Sequence, residues 1–166
     1  IWAYSLRARN FEMMKKDCGK ETVGLLDMRR MRDWAHFYEL IKEYDILFFS
    51  VMSTDYKFAI DCIREVRTRH PEMKIVAGGL DPTYSTNRWT SNPDVDYVLV
   101  GEGELSVPKM IKEIRENKEI PKLQRGESID VDNIPYINRN DWEPEFPYYM
   151  RYWSGQHRFF TMLTSR

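Results

Sequence analysis

Three runs of consecutive apolar residues mark the middle of the chain, and each gives way to small or polar residues. Ile46-Leu47-Phe48-Phe49 leads into Ser50-Val51-Met52-Ser53-Thr54, Ile75-Val76-Ala77 into Gly78-Gly79-Leu80-Asp81-Pro82-Thr83, and Tyr97-Val98-Leu99-Val100, after Val95-Asp96, into Gly101-Glu102-Gly103-Glu104. A run that is apolar at every position, instead of at alternate ones, marks a strand covered on both faces, as in a parallel sheet. Between the first two runs, residues 56–70 carry a helical period. Phe58, Ala59, Cys62, Ile63 and Val66 fall on one side and Asp61, Arg64, Glu65 and Arg67 on the other, and Pro71 stops the helix.

The same alternation extends on both sides. Residues 1–5 suit a strand remnant better than a helix start, residues 9–18 a helix ended by Gly19, and residues 22–26 a second strand. Asp33 is placed to cap a helix whose Trp34, Phe37, Tyr38 and Ile41 form one stripe. Residues 84–93 are polar and turn-rich, with room for at most a short helix. Ser106 is the expected cap of a last helix with Pro108 in its first turn and Val107, Met110, Ile111 and Ile114 buried. Strands alternating with helices predict an α/β domain over residues 1–117, an open five-stranded parallel sheet of flavodoxin-like (Rossmann-like) type in the order 2-1-3-4-5. Residues 118–158 lose the period and become rich in Pro, Asp, Asn and aromatics, an irregular extension. Residues 159–166 read as one more short strand.

Composition narrows the possibilities. The 166 residues carry a formal net charge of −1, which leaves no long-range field to gather nucleic acid or an acidic membrane. The basic cluster Arg29, Arg30, Arg32 reads as a solvated loop. No apolar run approaches the ~18 residues of a membrane span. The two cysteines, Cys18 and Cys62, have no metal-ligand spacing and read as reduced core thiols of a cytoplasmic protein. The chain starts without Met and stops in mid-pattern, as a piece of a longer polypeptide would.

In open α/β sheets ligands lie outside the carboxyl ends of the strands, so the segments 50–54, 78–83 and 101–104 are expected to converge on one site. Gly78-Gly79 at a strand end suits either a tight turn or a ligand touching backbone. Gly101, Gly103 and Ser106 nearly spell a dinucleotide fingerprint, but that motif belongs to the first turn of its unit and needs an acidic residue about 20 positions on at another strand end. A phosphorylated receiver domain needs Asp where Ser50, Val51 and Met52 stand. Neither reading holds.

The order of Ser50-Val51-Met52-Ser53-Thr54, Gly78-Gly79-Leu80-Asp81-Pro82-Thr83, Gly101-Glu102-Gly103-Glu104, Asp132-Asn133-Ile134-Pro135 and Phe159 to Arg166 resembles the amino-terminal cobalamin-binding domain of cobalamin-dependent radical S-adenosylmethionine enzymes, from about Thr22 to the last residue. The resemblance implies cobalamin held by Ser50, Met52, Ser53, Thr54, Gly78, Gly79, Leu80, Asp81, Pro82, Thr83, Gly101, Glu102, Gly103 and Glu104, with its nucleotide tail passing Ser50, Gly78 and Gly79. It also implies a 4Fe-4S cluster and S-adenosylmethionine in a following barrel, the domain's partner, of which residues 159–166 would be the first strand. The cluster cysteines of that barrel lie beyond Arg166. Two departures stand out. The family usually has His where Asp81 precedes Pro82, and Leu6 to Phe11 replaces the Asp-x-His-x-x-Gly that ligates cobalt from below in other cobalamin domains. His36, His70 and His157 all read as surface or core histidines, so bound cobalamin is expected base-off with no protein histidine on cobalt. The competing expectation is a degenerate, cofactor-free domain acting as a substrate-docking or subunit-contact module.

Overall fold

The computed structural model describes residues 32–42 and 44–135. Within them, four parallel strands lie in the order β1 (Ile46–Ser50), β2 (Lys74–Gly78), β3 (Tyr97–Val100) and β4 (Leu123–Arg125). The register sets Ile46 opposite Lys74 and Ser50 opposite Gly78, Ala77 opposite Val98, and Val100 opposite Arg125. The flavodoxin-like sheet is thus present with its third, fourth and fifth expected strands adjacent. The two strands expected before Asp33 lie outside the described residues, as do the helix over 9–18 and the strand over 159–164.

β4 corrects the expectation that regular structure ends at residue 117. Three residues with a single inward apolar side chain, Leu123, make no sequence signal, yet β3 supplies a ready edge and β4 completes it. The backbone N–H groups of Val98 and Gly126 donate to Lys122 and Val100 on either end of this pairing.

Successive side chains of a strand point to opposite faces, and the two faces carry different covers. Ile75, Ala77, Val98 and Val100 pack with Phe37 and Ile41 of α1 (Trp34–Ile41), Ala59, Ile63 and Val66 of α2 (Tyr56–Arg69), and Trp89. On the other face Leu99 packs with Val107 and Ile111 of α5 (Ser106–Arg115), beside Ile46 and Phe48. Helices therefore cover both sides, which is why β2 and β3 are apolar at every inner position.

Local signals explain the helices. The Asp33 carboxylate accepts the His36 N–H at 2.7 Å, the expected cap of α1. α2 ends at His70 before Pro71. Phe58, expected on its buried side, is 43% exposed, because Tyr56, Ala59, Ile60 and Ile63 already fill the stripe against the sheet. Ser106 does not cap α5. The helix starts at Ser106 with Leu105 before it, and the Ser106 hydroxyl accepts the Glu127 N–H at 3.2 Å. Residues 80–84 form a short helix that the sequence did not suggest, α3 (Leu80–Tyr84), and the short helix for which residues 84–93 left room is α4 (Thr86–Thr90). At the amino edge of the strands, Arg67 donates to Asp96 and to the carbonyls of Pro71 and Asp94, and the Ile75 N–H donates to the same Asp96 carboxylate. That clamp fixes α2 to β2 and β3 and leaves the carboxyl edge for a site.

Candidate functional site

The carboxyl ends of the four strands form one continuous edge. Ser50 and Gly78 are register partners, and the chain beyond them stays together. Val51 donates its N–H to the Gly78 carbonyl at 2.8 Å, and Asp81 donates its own to the Val51 carbonyl at 3.0 Å. Thr83 carries the connection onward. Its hydroxyl donates to the Gly79 carbonyl at 2.8 Å and accepts the Gly101 N–H at 3.2 Å. The Glu102 carboxylate then accepts the Ile129 N–H at 3.3 Å. The segments 50–54, 78–83 and 101–104 are therefore brought together as the strand pattern predicts, and a fourth segment, 126–129, joins them.

The glycines of this edge do different jobs. Gly79 has φ +100° and ψ −165°, a region essentially closed to side chains. A Cβ there would stand 2.8 Å from the Val51 nitrogen and 2.9 Å from its oxygen. Its close approach is to the backbone at Val51. Gly101 has φ +83°, and a Cβ there would meet Gly126 in ordinary contact at 3.8 Å. Gly78 would place a Cβ in ordinary contact, 3.5 Å from the Leu99 carbonyl, so here small size leaves room without being required by the fold. Gly126, in no motif, packs so tightly on Glu102 that a Cβ would overlap the Glu102 backbone. A lone glycine after a strand too short to read gave no sign of this.

The side chains divide into those at the surface and those inside. Ser53, Thr54 and Leu80 are exposed, Met52, Thr83 and Glu102 half-buried, and Pro82, Gly103 and Glu104 buried. Asp81 is 1% exposed. Its carboxylate accepts the Trp89 indole N–H at 2.6 Å, and both oxygens accept from Arg88 Nη2. Burial by itself would raise this carboxyl, but the hydrogen bonds from Trp89 and Arg88 together with the Arg88 charge hold it below the usual carboxylate range. Arg88 lies 3.6 Å over the Tyr56 ring, and Tyr56 meets Trp89 edge-on at 5.5 Å. Arg88, Trp89 and Tyr56 went unnoticed in the sequence. The spacing Asp81, Arg88, Trp89 is a helical one across two turns, but it becomes visible only once residues 80–90 are known to be helical.

Of the two described histidines, His36 lies in the first turn of α1 and His70 at the end of α2. Among the described residues no group of three His, Cys, Asp or Glu side chains is placed to hold a metal ion, and no helix is long and apolar enough to cross a membrane. The edge thus offers small side chains, hydroxyls and backbone N–H groups. Ser50 and Gly78 sit side by side on it, and Asp81 is turned inward.

Comparison with known proteins agrees with this geometry. The chain is 36% identical over 76 residues to the anaerobic magnesium-protoporphyrin IX monomethyl ester cyclase of Synechocystis, a stretch covering 42% of this chain and 15% of that protein. It is 31% identical over 72 residues to an uncharacterised protein of Methanocaldococcus jannaschii, covering 43% of this chain and 14% of the relative. The chain thus matches only a small part of each curated relative. Among solved structures, the N-terminal domain of a hypothetical protein of Thermotoga maritima superposes with a TM-score of 0.46 at 20% identity, over 69% of this chain and 88% of that one. The family model described as the B12 binding domain matches residues 4–111, more than half of the chain. The chain belongs to the B12-binding domain family.

Proposed function

We propose that this chain is the cobalamin-holding domain of a larger radical S-adenosylmethionine enzyme, with the cofactor base-off and no protein histidine on cobalt. The observation that carries the reading is the side-by-side placement of Ser50 and Gly78 at the carboxyl edge of a B12-binding domain. Only ordinary contacts would meet a side chain at Gly78, and both described histidines sit on other elements. Bound cobalamin would supply a cobalt centre for methyl transfer or related radical chemistry. The chain's own part is to position it. Ser50, Gly78 and the exposed Ser53 and Thr54 flank the tail and corrin edge, Leu80 offers apolar contact, and Gly101 to Glu104 close the far side with Gly103 and Glu104 inside the fold. The 4Fe-4S cluster and S-adenosylmethionine belong to a barrel following residue 166, with residues 159–166 as its first strand and the chain between β4 and residue 159 as the connection. A cytoplasmic location goes with this reading.

Incubation of the purified chain with hydroxocobalamin followed by desalting tests it. Retention of about one corrin per chain is expected, and a colourless protein would refute it. A second reading, a cofactor-free docking or subunit-contact module, is favoured by one observation. Asp81 stands where the family usually has His, and its carboxylate is turned inward. The colourless outcome would favour that reading.

A further inference from the structure

The departure at Asp81 has a structural counterpart that bears on the ligand edge. Its carboxylate gathers two donors, Arg88 and Trp89, from α4 beyond β2. Its backbone N–H donates to Val51 at 3.0 Å, and its carbonyl accepts the Ser85 N–H at 2.8 Å. Tyr56, the first residue of α2, is held from two sides, by Arg88 over its ring and by Trp89 against its edge. The Met52–Tyr56 stretch otherwise has little holding it. Ser53, Thr54 and Asp55 are all exposed, and its other fixed points are local: the turn bonds from the Asp55 N–H to the Met52 carbonyl and from the Tyr56 N–H to the Ser53 carbonyl, and the Thr54–Asp55 side-chain contact.

We infer that Asp81 is a positioning residue, a buried latch that holds the loop after β1 in place at the ligand edge by accepting hydrogen bonds from Arg88 and Trp89, the two side chains that clasp Tyr56 at the end of that loop. Asp81 is itself sealed inside, so on this inference it acts on a ligand only through Met52, Ser53 and Thr54. The ligand part of the inference rests on the cobalamin reading above, whereas the latch does not.

The test uses the full 166-residue chain, Asp81→Asn, and Ser53→Ala, which removes one exposed hydroxyl and so does not endanger folding. Amide hydrogen exchange read by mass spectrometry compares peptides over residues 52–56 and 84–90 with the β2 peptide over 74–78, under conditions where each variant is folded. In Asp81→Asn the 52–56 and 84–90 amides should exchange at least about tenfold faster while β2 is unchanged. In Ser53→Ala, which leaves Arg88, Trp89 and Tyr56 in place, exchange should match the parent in all three peptides. In Asp81→Asn, loss of protection in proportion across all three peptides, or none in 52–56, would overturn the latch. Titration with hydroxocobalamin should then show at least about tenfold weaker binding for Asp81→Asn. Binding within twofold of the parent despite a loosened loop would overturn the link to the ligand. A parent chain that binds no corrin would defeat the cobalamin reading, with exchange alone still deciding the latch.

Discussion

Replacing Gly79 by alanine should damage the fold itself. The residue lies at φ +100°, ψ −165°, and holding a side-chain-bearing residue in that region costs about 1–3 kcal/mol. The added methyl would also stand 2.8 and 2.9 Å from the Val51 nitrogen and oxygen. Those atoms are pinned by the Val51-to-Gly78 and Asp81-to-Val51 hydrogen bonds, so relief means moving backbone, and overpacking of this kind costs about 1–3 kcal/mol more. The total, about 4 kcal/mol at mid-range, is a large part of the roughly 5–15 kcal/mol that stabilises a domain. Gly78→Ala is the control. Its methyl would meet the Leu99 carbonyl at 3.5 Å, an ordinary contact, and a strand interior gains about 0.5–1 kcal/mol from the lost backbone freedom of glycine. Urea unfolding followed by tryptophan fluorescence measures both. The expected result is Gly79→Ala destabilised by about 4 kcal/mol, or roughly 8–16 °C in Tm for a chain of this size, with Gly78→Ala at or slightly above the parent. If Gly79→Ala unfolded within about 0.5 kcal/mol of the parent, as a neutral surface change does, the assigned backbone geometry would be refuted.

Asp81→Ala should cost about 2–4 kcal/mol by stranding the Trp89 indole N–H inside the core, measured by the same unfolding assay. Because the folded-state pKa of Asp81 is lowered, its carboxylate stabilises the fold above its unfolded pKa of about 3.9, and that contribution is lost as pH falls further, through the folded value. The stability gap between parent and Asp81→Asn should therefore narrow below about pH 4, and a gap independent of pH would contradict the charged assignment. Burial pushes the Cys62 thiol up to about 11, so peptide mapping after iodoacetamide at pH 8 should find Cys62 unmodified in the folded chain and alkylated in urea. With only two cysteines in the chain, anaerobic reconstitution should yield no stoichiometric iron and sulfide, since a cluster of the expected kind needs three closely spaced thiolates.

What the sequence disclosed tracks the range of the interactions involved. The strand ends at Ser50, Gly78 and Val100 were legible because burial on both faces writes an uninterrupted apolar run. α1 and its Asp33 cap were legible because capping is local. The convergence of three loops followed from parallel topology alone. β4 was not legible, because Leu123–Arg125 becomes a strand only through β3. The partners of Gly79 and Asp81 were not legible for a related reason: Gly79 abuts Val51 and Asp81 binds Arg88 and Trp89, neighbours that no local pattern names. Phe58 fits the helical stripe by spacing and still faces out, since the width of the stripe is set by the sheet beneath it.

The most direct test of the central proposal is the electron paramagnetic resonance spectrum of the full chain loaded with cobalamin and reduced to the cobalt(II) state. Coordination by a nitrogen from below splits each cobalt line into three, whereas a base-off centre without histidine shows no such splitting. The account predicts a protein-bound, unsplit cobalt(II) signal at about one per chain, unchanged when His36, His70 and His157 are replaced one at a time. A nitrogen-split signal that disappears with any one of those histidines, or no protein-bound cobalt signal at all, would contradict it.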